Sequence, residues 1–236
     1  MTAFNSRFSK VRVWIKKAVI YFFVLSVLSV IIFRFIPIPF TPLMFIRAAQ
    51  NLVAGNPLVW SYQWVSLDEM SLSLPSAVIA SEDQKFFEHY GFDIASIKAA
   101  FDYNKNGKKV RGASTISQQT AKNVFLWQGR SWIRKGFEVY FTCLIELFWS
   151  KERIVEVYLN VIEMGNGVYG VAAASKHCFG KSPSSVTPAQ AALIAATLPN
   201  PRKYFCKSPS RYISRRQNWV LRQMNNLEIE TNFINK

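Results

Sequence analysis

The sequence predicts a mainly α protein preceded by one transmembrane helix, and three observations carry that expectation. Apolar residues recur at helical spacing along most of the chain, helix start signals recur with them, and residues 18–33 run for 16 positions without a charge. Strand-like alternation is scarce and no repeat period is present.

The uncharged run comes first in the chain. If Arg34 snorkels, the run extends through Phe35 and Ile36 to about the 20 residues that span a bilayer. A transmembrane helix is therefore expected over residues 18–36, after a basic cytoplasmic N-terminus of residues 1–17. Arg7, Lys10, Arg12, Lys16 and Lys17 precede the run, and the first acid is Asp68. The positive-inside rule puts the N-terminus in the cytoplasm and the rest of the chain across the membrane. A cleaved signal peptide is the alternative. No small-residue cleavage site follows, only Arg34 and the bulky, proline-rich Phe35-Ile-Pro-Ile-Pro-Phe-Thr-Pro42, so the anchor is expected to stay. Residues 37–66 read as a membrane-proximal linker, with 35–46 lying at the bilayer surface, and 67–236 as the main domain.

Charge narrows the partners. The chain carries +15; without the six cations of the anchor region, residues 35–236 keep 23 Lys and Arg against 14 acids, a net +9. Such a surface prefers anionic lipid or phosphate. Nucleic acid is set aside, because a domain exported past a membrane rarely meets it. Cys143 and Cys178 fall in apolar helical patterns and Cys206 in a basic loop. An odd count gives no disulfide framework, and buried thiols are the expectation.

Helix signals then follow in order. Pro75 opens a helix running towards Glu82. Asp93 caps one carrying Ile94, Ile97 and Phe101, which gives way to a polar, glycine-containing loop over 102–111, read as mobile. Ser114 caps the next, and Ser131 a long helix through Phe148. Thr187, Pro188 and Gln190 form a capping box with proline at the first helical position, ahead of an apolar run over 191–198 that stops at Pro199. Ser208-Pro209 precedes a basic final helix.

The helix after Ser131 is apolar on nearly every side and so is expected to be buried. Its polar exceptions, Arg134, Glu138, Thr142 and Glu146, fall at i+4 and form one seam, as on a helix lining a cleft. An internal Arg134 to Glu138 pair that merely satisfies itself is the plainer alternative. Two dense polar clusters, 82–91 (EDQKFFEHYG) and 112–123 (GASTISQQTAKN), concentrate hydroxyl and amide groups that hydrogen-bond in fixed directions and suit a sugar or phosphate ligand. Taken singly, Glu82 and Asp83 could be surface acids, and Gln118, Gln119 and Lys122 a solvated helix face.

Together these clusters resemble the peptidoglycan glycosyltransferases, the lysozyme-like enzymes that polymerise lipid II, over residues 67–204. Glu82-Asp83-x-x-Phe86-x-x-His89-x-Gly91 is similar to the family's first motif. Gly112-x-Ser114-Thr115-Ile116-x-Gln118-Gln119-x-x-Lys122-Asn123 is similar to its second. Arg134-Lys135-x-x-Glu138 matches the third, and Lys151-x-x-Ile154-x-Glu156-x-Tyr158-x-Asn160 the fourth. Tyr169-Gly170 and Phe179-Gly180-Lys181 continue the pattern.

The resemblance implies a two-lobed helical domain with a central cleft, and an inverting transfer of a lipid-pyrophosphate-linked glycan to the 4-hydroxyl of an incoming lipid II. It implies two catalytic acids. Glu82 is the general base, since a hydroxyl is a poor nucleophile at neutral pH. Glu138 is an anionic organiser, or the ligand of a divalent cation (Mg or Mn). Pyrophosphate leaves as a stable anion and needs positive charge rather than a proton, which Lys122, Arg130, Arg134 and Lys135 supply. Asp83, Phe86, Ser114, Gln119 and Asn123 are further substrate-binding positions on the same grounds. The spacing of Glu156 and Asn160 suits a helix that braces the cleft, and Tyr158 lies between them.

The implied partners are lipid II, the growing glycan strand, membrane lipid and other cell-wall synthesis or division proteins. The implied location is a bacterial cytoplasmic membrane, with the catalytic domain outside. No Ser-x-x-Lys or Lys-Thr-Gly occurs and about 37 residues follow Pro199, so no transpeptidase domain is expected. Two other functions stay open: a lysozyme-like lytic enzyme acting on the same glycan, and an inactive membrane-anchored scaffold.

Overall fold

The computed structural model describes residues 2–105, 107, 112–129 and 131–227, with side chains described from residue 11 onward. It divides into two compact units, 1–36 and 37–236.

The first unit is one helix, α1 (Thr2–Phe33). Val11–Phe33 is long and apolar enough to cross a membrane. Trp14, Val24, Leu25 and Leu28 are exposed, as expected of a helix whose solvent is lipid. Its two central hydroxyls are satisfied within the helix, Ser26 by the Phe23 carbonyl at 2.9 Å and Ser29 by the Ser26 carbonyl at 2.8 Å. Hydrocarbon offers a hydroxyl no other partner.

The second unit starts earlier than the sequence suggests. Residues 37–66 are not a linker but part of the folded domain. Helix α2 (Pro42–Val53) starts on Pro42 and buries Leu43 and Met44 against Tyr169, with Tyr62 packed beside them. Strand β1 (Ser61–Tyr62) pairs in parallel with β3 (Val168–Tyr169), which pairs antiparallel with β2 (Glu163–Gly165). Arg47 of α2 reaches the Glu163 carboxylate at 3.1 Å, and Asn160 exchanges two hydrogen bonds with the Val65 backbone at 2.8 and 2.9 Å. Strands of two and three residues are too short for alternation to reveal, and β1 lies about 100 positions from its partner β3.

Two groups of helices form the domain. Helices α3 (Ser73–Glu82), α9 (Pro188–Thr197) and α10 (Arg211–Leu227) pack on one another. Helix α5 (Ile116–Phe125) packs on α6 (Trp132–Phe148) and α7 (Lys151–Val161), and α7 in turn contacts α3 and α8 (Gly170–Phe179). The mainly helical, two-lobed expectation holds. The start of α8 is fixed by Gly170, which sits at φ +75°, where a Cβ would lie 2.3 Å from the Asn160 carbonyl oxygen.

Start signals are mostly where the sequence places them. Thr187 and Gln190 form the expected capping box, and Ser131 caps α6 through the Arg134 amide. Asp93 accepts from the Ser96 amide at 2.9 Å, at the start of α4 (Ile94–Lys105). The cap of α5 is Thr115 rather than Ser114, because Gln118 can complete a capping box only with the residue three before it. Helix α10 is capped from Ser210 and not from Ser208-Pro209. Of the loop expected over 102–111, residues 102–105 are the last turn of α4, and 106 and 108–111 lie outside the described residues.

Two further expectations are corrected. Cys178 and Cys206 form a disulfide with Cα atoms 5.7 Å apart, tying the end of α8 to the loop before α10 over a small cluster of Leu193, Ala196 and Ile213. Cys143 is free and exposed. An odd count hides a bridge when two cysteines 28 positions apart are brought together only by tertiary packing. Helix α6 is also not buried all round: Trp132, Ile133 and Leu147 are 92, 72 and 73 % exposed, and its polar seam faces inward instead.

Candidate active site

Glu82 is the last residue of α3, where the two helix groups meet. The helix stops because Asp83 leaves helical geometry, which turns the Asp83 carboxylate inward. That carboxylate accepts from the Ile116 amide, at the first turn of α5, at 3.0 Å and faces His89 Nε2 at 2.9 Å. An anion at a helix N-terminus is stabilised by the unpaired amides there. Asp83 thus fixes α5 relative to α3.

Gly91 and Thr115 make a second connection between the first two motifs. The Thr115 hydroxyl donates to the Gly91 carbonyl at 2.7 Å. Gly91 sits at φ +83°, and a Cβ there would be 2.7 Å from the Thr142 methyl of α6, so no other residue fits this approach.

Glu82 itself is held on both oxygens. Oε2 accepts from Gln119 Nε2 at 3.1 Å, and Gln119 Oε1 in turn accepts from the Tyr158 hydroxyl at 3.2 Å. Burial, and then the nearby Glu82 and Asp83, push the Tyr158 hydroxyl well above its ordinary pKa, so it stays protonated. As a donor it dictates which end of the Gln119 amide faces Glu82. Oε1 accepts from Ser81 Oγ at 3.3 Å, and Arg216 Nη2 lies 3.9 Å away.

A cluster of opposite character lies along α5 and α6. Glu138 is buried at 3 % exposure, with Arg134 Nη1 on Oε2 at 2.6 Å and Lys135 Nζ on Oε1. Arg134 is also held by the Gly129 carbonyl at 2.8 Å. Lys122 completes the cluster. Burial lowers its pKa, Glu138 opposes that shift, and its charge is felt at Glu82 as well. Further along the seam, Glu146 accepts from Ser117 and from Lys151 at 2.9 Å, and Lys151 donates to the His89 carbonyl at 2.6 Å.

A cavity of about 310 Å³ opens beside Glu82, lined among others by Ser81, Gln84, Asp93, Ser114 and Trp219. Ser114, Gln119, Lys122, Arg134 and Lys135 thus fall on or near this cleft and the cationic cluster.

Two expected ligand contacts do not reach it. Phe86 is fully buried with Lys151 Nζ 4.6 Å above its ring, and Asn123 is 2 % exposed and donates to the Gln119 carbonyl at 2.8 Å. Asp83 lines the cavity while its carboxylate is engaged as described. Sequence motifs mix packing with contact, and Phe86 and Asn123 are packing. Arg130 lies outside the described residues. A divalent metal at Glu138 would compete with Arg134 and Lys135, which already face its two oxygens.

Sequence reasoning missed Ser81, Arg216 and Trp219. Ser81 adjoins a motif and could have been weighed; nothing in the pattern of α10 distinguishes Arg216 from its other arginines.

Comparison with known proteins matches residues 57–225 to the transglycosylase family. The chain is 55 % identical to a biosynthetic peptidoglycan transglycosylase of Bacteroides thetaiotaomicron, over 92 % of this chain and 87 % of the relative. It is 53 % identical to one of Bdellovibrio bacteriovorus over 93 and 88 %, and 48 % identical to one of Yersinia pestis over 96 and 95 %.

Proposed function

This chain belongs to the transglycosylase family, and from that premise we propose that it polymerises lipid II into linear glycan strands, with the two carboxylates in different roles. The observation that carries the reading is the pairing of a carboxylate held by neutral donors, Glu82, with a buried cationic cluster around Glu138. The oxygen of the acceptor 4-hydroxyl attacks the anomeric carbon of the donor, its proton passes to Glu82, and the bond from that carbon to the pyrophosphate oxygen breaks. Attack opposite the leaving group inverts the centre and gives the β-1,4 bond.

Lys122, Arg134 and Lys135 neutralise the departing pyrophosphate, and Arg130 joins them on the family pattern. Arg suits two-point phosphate contact and Lys a point charge. Glu138 keeps Arg134 and Lys135 from repelling each other and fixes their direction. Ser114 and the cavity beside Glu82 suit sugar hydroxyls.

Support for the proposed location comes from α1 and the disulfide. The basic N-terminus supports a cytoplasmic start, and the Cys178–Cys206 bridge supports a domain on the oxidising side of the membrane. Membrane lipid is a partner on this reading: α6 turns Trp132, Ile133 and Leu147 outward while its seam faces the site, which suits a lipid-linked substrate. Partnership with other cell-wall synthesis or division proteins is tested by crosslinking in cells.

The deciding experiment incubates the full chain with labelled lipid II and, separately, with finished peptidoglycan, with and without a divalent cation. Polymer from lipid II is expected, and lost in Glu82→Gln. Cleavage of finished polymer alone would make the chain lytic. A divalent requirement that Glu138→Gln removes would return a metal to Glu138.

A further inference from the structure

Helix α10 lies outside the four motifs, yet it supplies the one cation within 4 Å of Glu82 among the described residues. Arg216 Nη2 is 3.2 Å from Ser81 Oγ and 3.9 Å from Glu82 Oε1, and Ser81 Oγ bridges to the same Oε1 at 3.3 Å. The guanidinium lies 5.7 Å from the Trp219 ring centroid, within cation–π range, and its Nε is buried without a partner. A buried donor without a partner is costly, so packing and charge hold this side chain in place, not a full set of hydrogen bonds.

On the other side, Gln119 and Tyr158 hold Oε2. We infer that Arg216 is a positioning residue for Glu82: with Ser81 it fixes the direction of Oε1 from the α10 side, opposite the Tyr158–Gln119 relay. At 3.9 Å the cation attracts Oε1 without donating to it, which sets the rotamer and leaves a lone pair open to the acceptor hydroxyl. The disulfide closes the loop that leads into α10, so the anchor of this arm is covalent.

The inference rests on the glycosyltransferase reading, and the test separates the two. Steady-state polymerisation of lipid II by the full anchored chain is compared for wild type, Arg216→Gln, Arg216→Lys and Ser81→Ala, with thermal unfolding of each. For Arg216→Gln, kcat is expected to fall about tenfold with KM within about twofold, because the residue acts through Glu82 and not on substrate. Arg216→Lys, which keeps the charge but not the planar fork, is expected to recover most of kcat.

A folded Arg216→Gln variant with wild-type kcat overturns the inference, and so does one whose KM rises while kcat holds. Where Arg216→Gln does not fold, Ser81→Ala carries the test: a severalfold loss of kcat at constant KM is expected, and unchanged kcat overturns it. Wild-type protein that makes no polymer from lipid II would instead sink the glycosyltransferase reading, and this inference with it.

Discussion

Glu82 and Glu138 are the same residue type, both within electrostatic reach of Lys122, and their surroundings could hardly differ more. Glu82 touches a serine hydroxyl and a glutamine amide, with its nearest cation at 3.9 Å. Glu138 is gripped directly by Arg134 and Lys135 and is almost completely buried. Each carboxylate takes one contact on each oxygen, but Glu82 is held by neutral donors and lines the cavity, open to an incoming proton, whereas the buried Glu138 faces two cations and organises them. Two acids of one site are thus assigned by environment rather than by identity.

The comparison breaks most sharply at Glu82. Glu82→Gln keeps the Gln119 and Ser81 contacts nearly isosteric but cannot accept a proton, so kcat is expected to fall about 10³-fold or more, within the usual range for general base removal. Glu138→Gln is expected to cost less, about 10²-fold, by releasing Arg134 and Lys135 from their fixed directions. The division of roles is wrong if Glu138→Gln polymerises as well as wild type, or if the two losses are equal. Single-turnover measurement on preformed glycan donor reads the chemical step directly.

Lys122 sharpens the same contrast, because its charge is felt at both acids. Burial lowers its pKa, so as pH rises it loses its proton before an ordinary lysine would, and the positive charge on the pyrophosphate side goes with it. Activity is therefore expected to decline on the alkaline side. Lys122→Arg, which stays charged, should move that decline to higher pH, and Lys122→Met should cost about 10²-fold at neutral pH. A kcat profile over pH 7 to about 10 checks it; an alkaline limb that Lys122→Arg leaves in place would assign the decline to another group.

The parts of this arrangement legible in the sequence are those encoded locally. The Thr187 capping box, the Ser131 cap and the i+4 seam of α6 are each read from residues three or four apart, and each is present. The outward face of α6 is not legible because an apolar run reads as protein core, whereas Trp132, Ile133 and Leu147 are exposed. The Cys178–Cys206 bridge, the β1–β3 pairing and the reach of Arg216 to Ser81 depend on residues 28, about 100 and 135 positions apart. No local pattern records such pairings. Phe86 and Asn123 show a related limit: a motif marks positions that matter without telling contact from packing.

The smallest effect is expected at Tyr158, and it tests whether orientation alone matters at Glu82. Tyr158→Phe removes only the hydroxyl that donates to Gln119 Oε1 at 3.2 Å. Gln119 then loses the partner that decides which end of its amide faces Glu82, and an amide turned the other way would put oxygen against carboxylate. The expected loss is about threefold to tenfold in kcat, with KM unchanged. About 1 kcal/mol of stability goes too, the usual cost of a lost buried hydrogen bond. Because Tyr158 is fully buried and does not line the cavity beside Glu82, a change in KM would mean that α7 has moved and the relay has no separate part in the chemistry. A kcat loss that Gln119→Glu reverses at low pH, where the new acid can donate to Glu82 as the amide did, would tie the effect to the one hydrogen bond on Oε2.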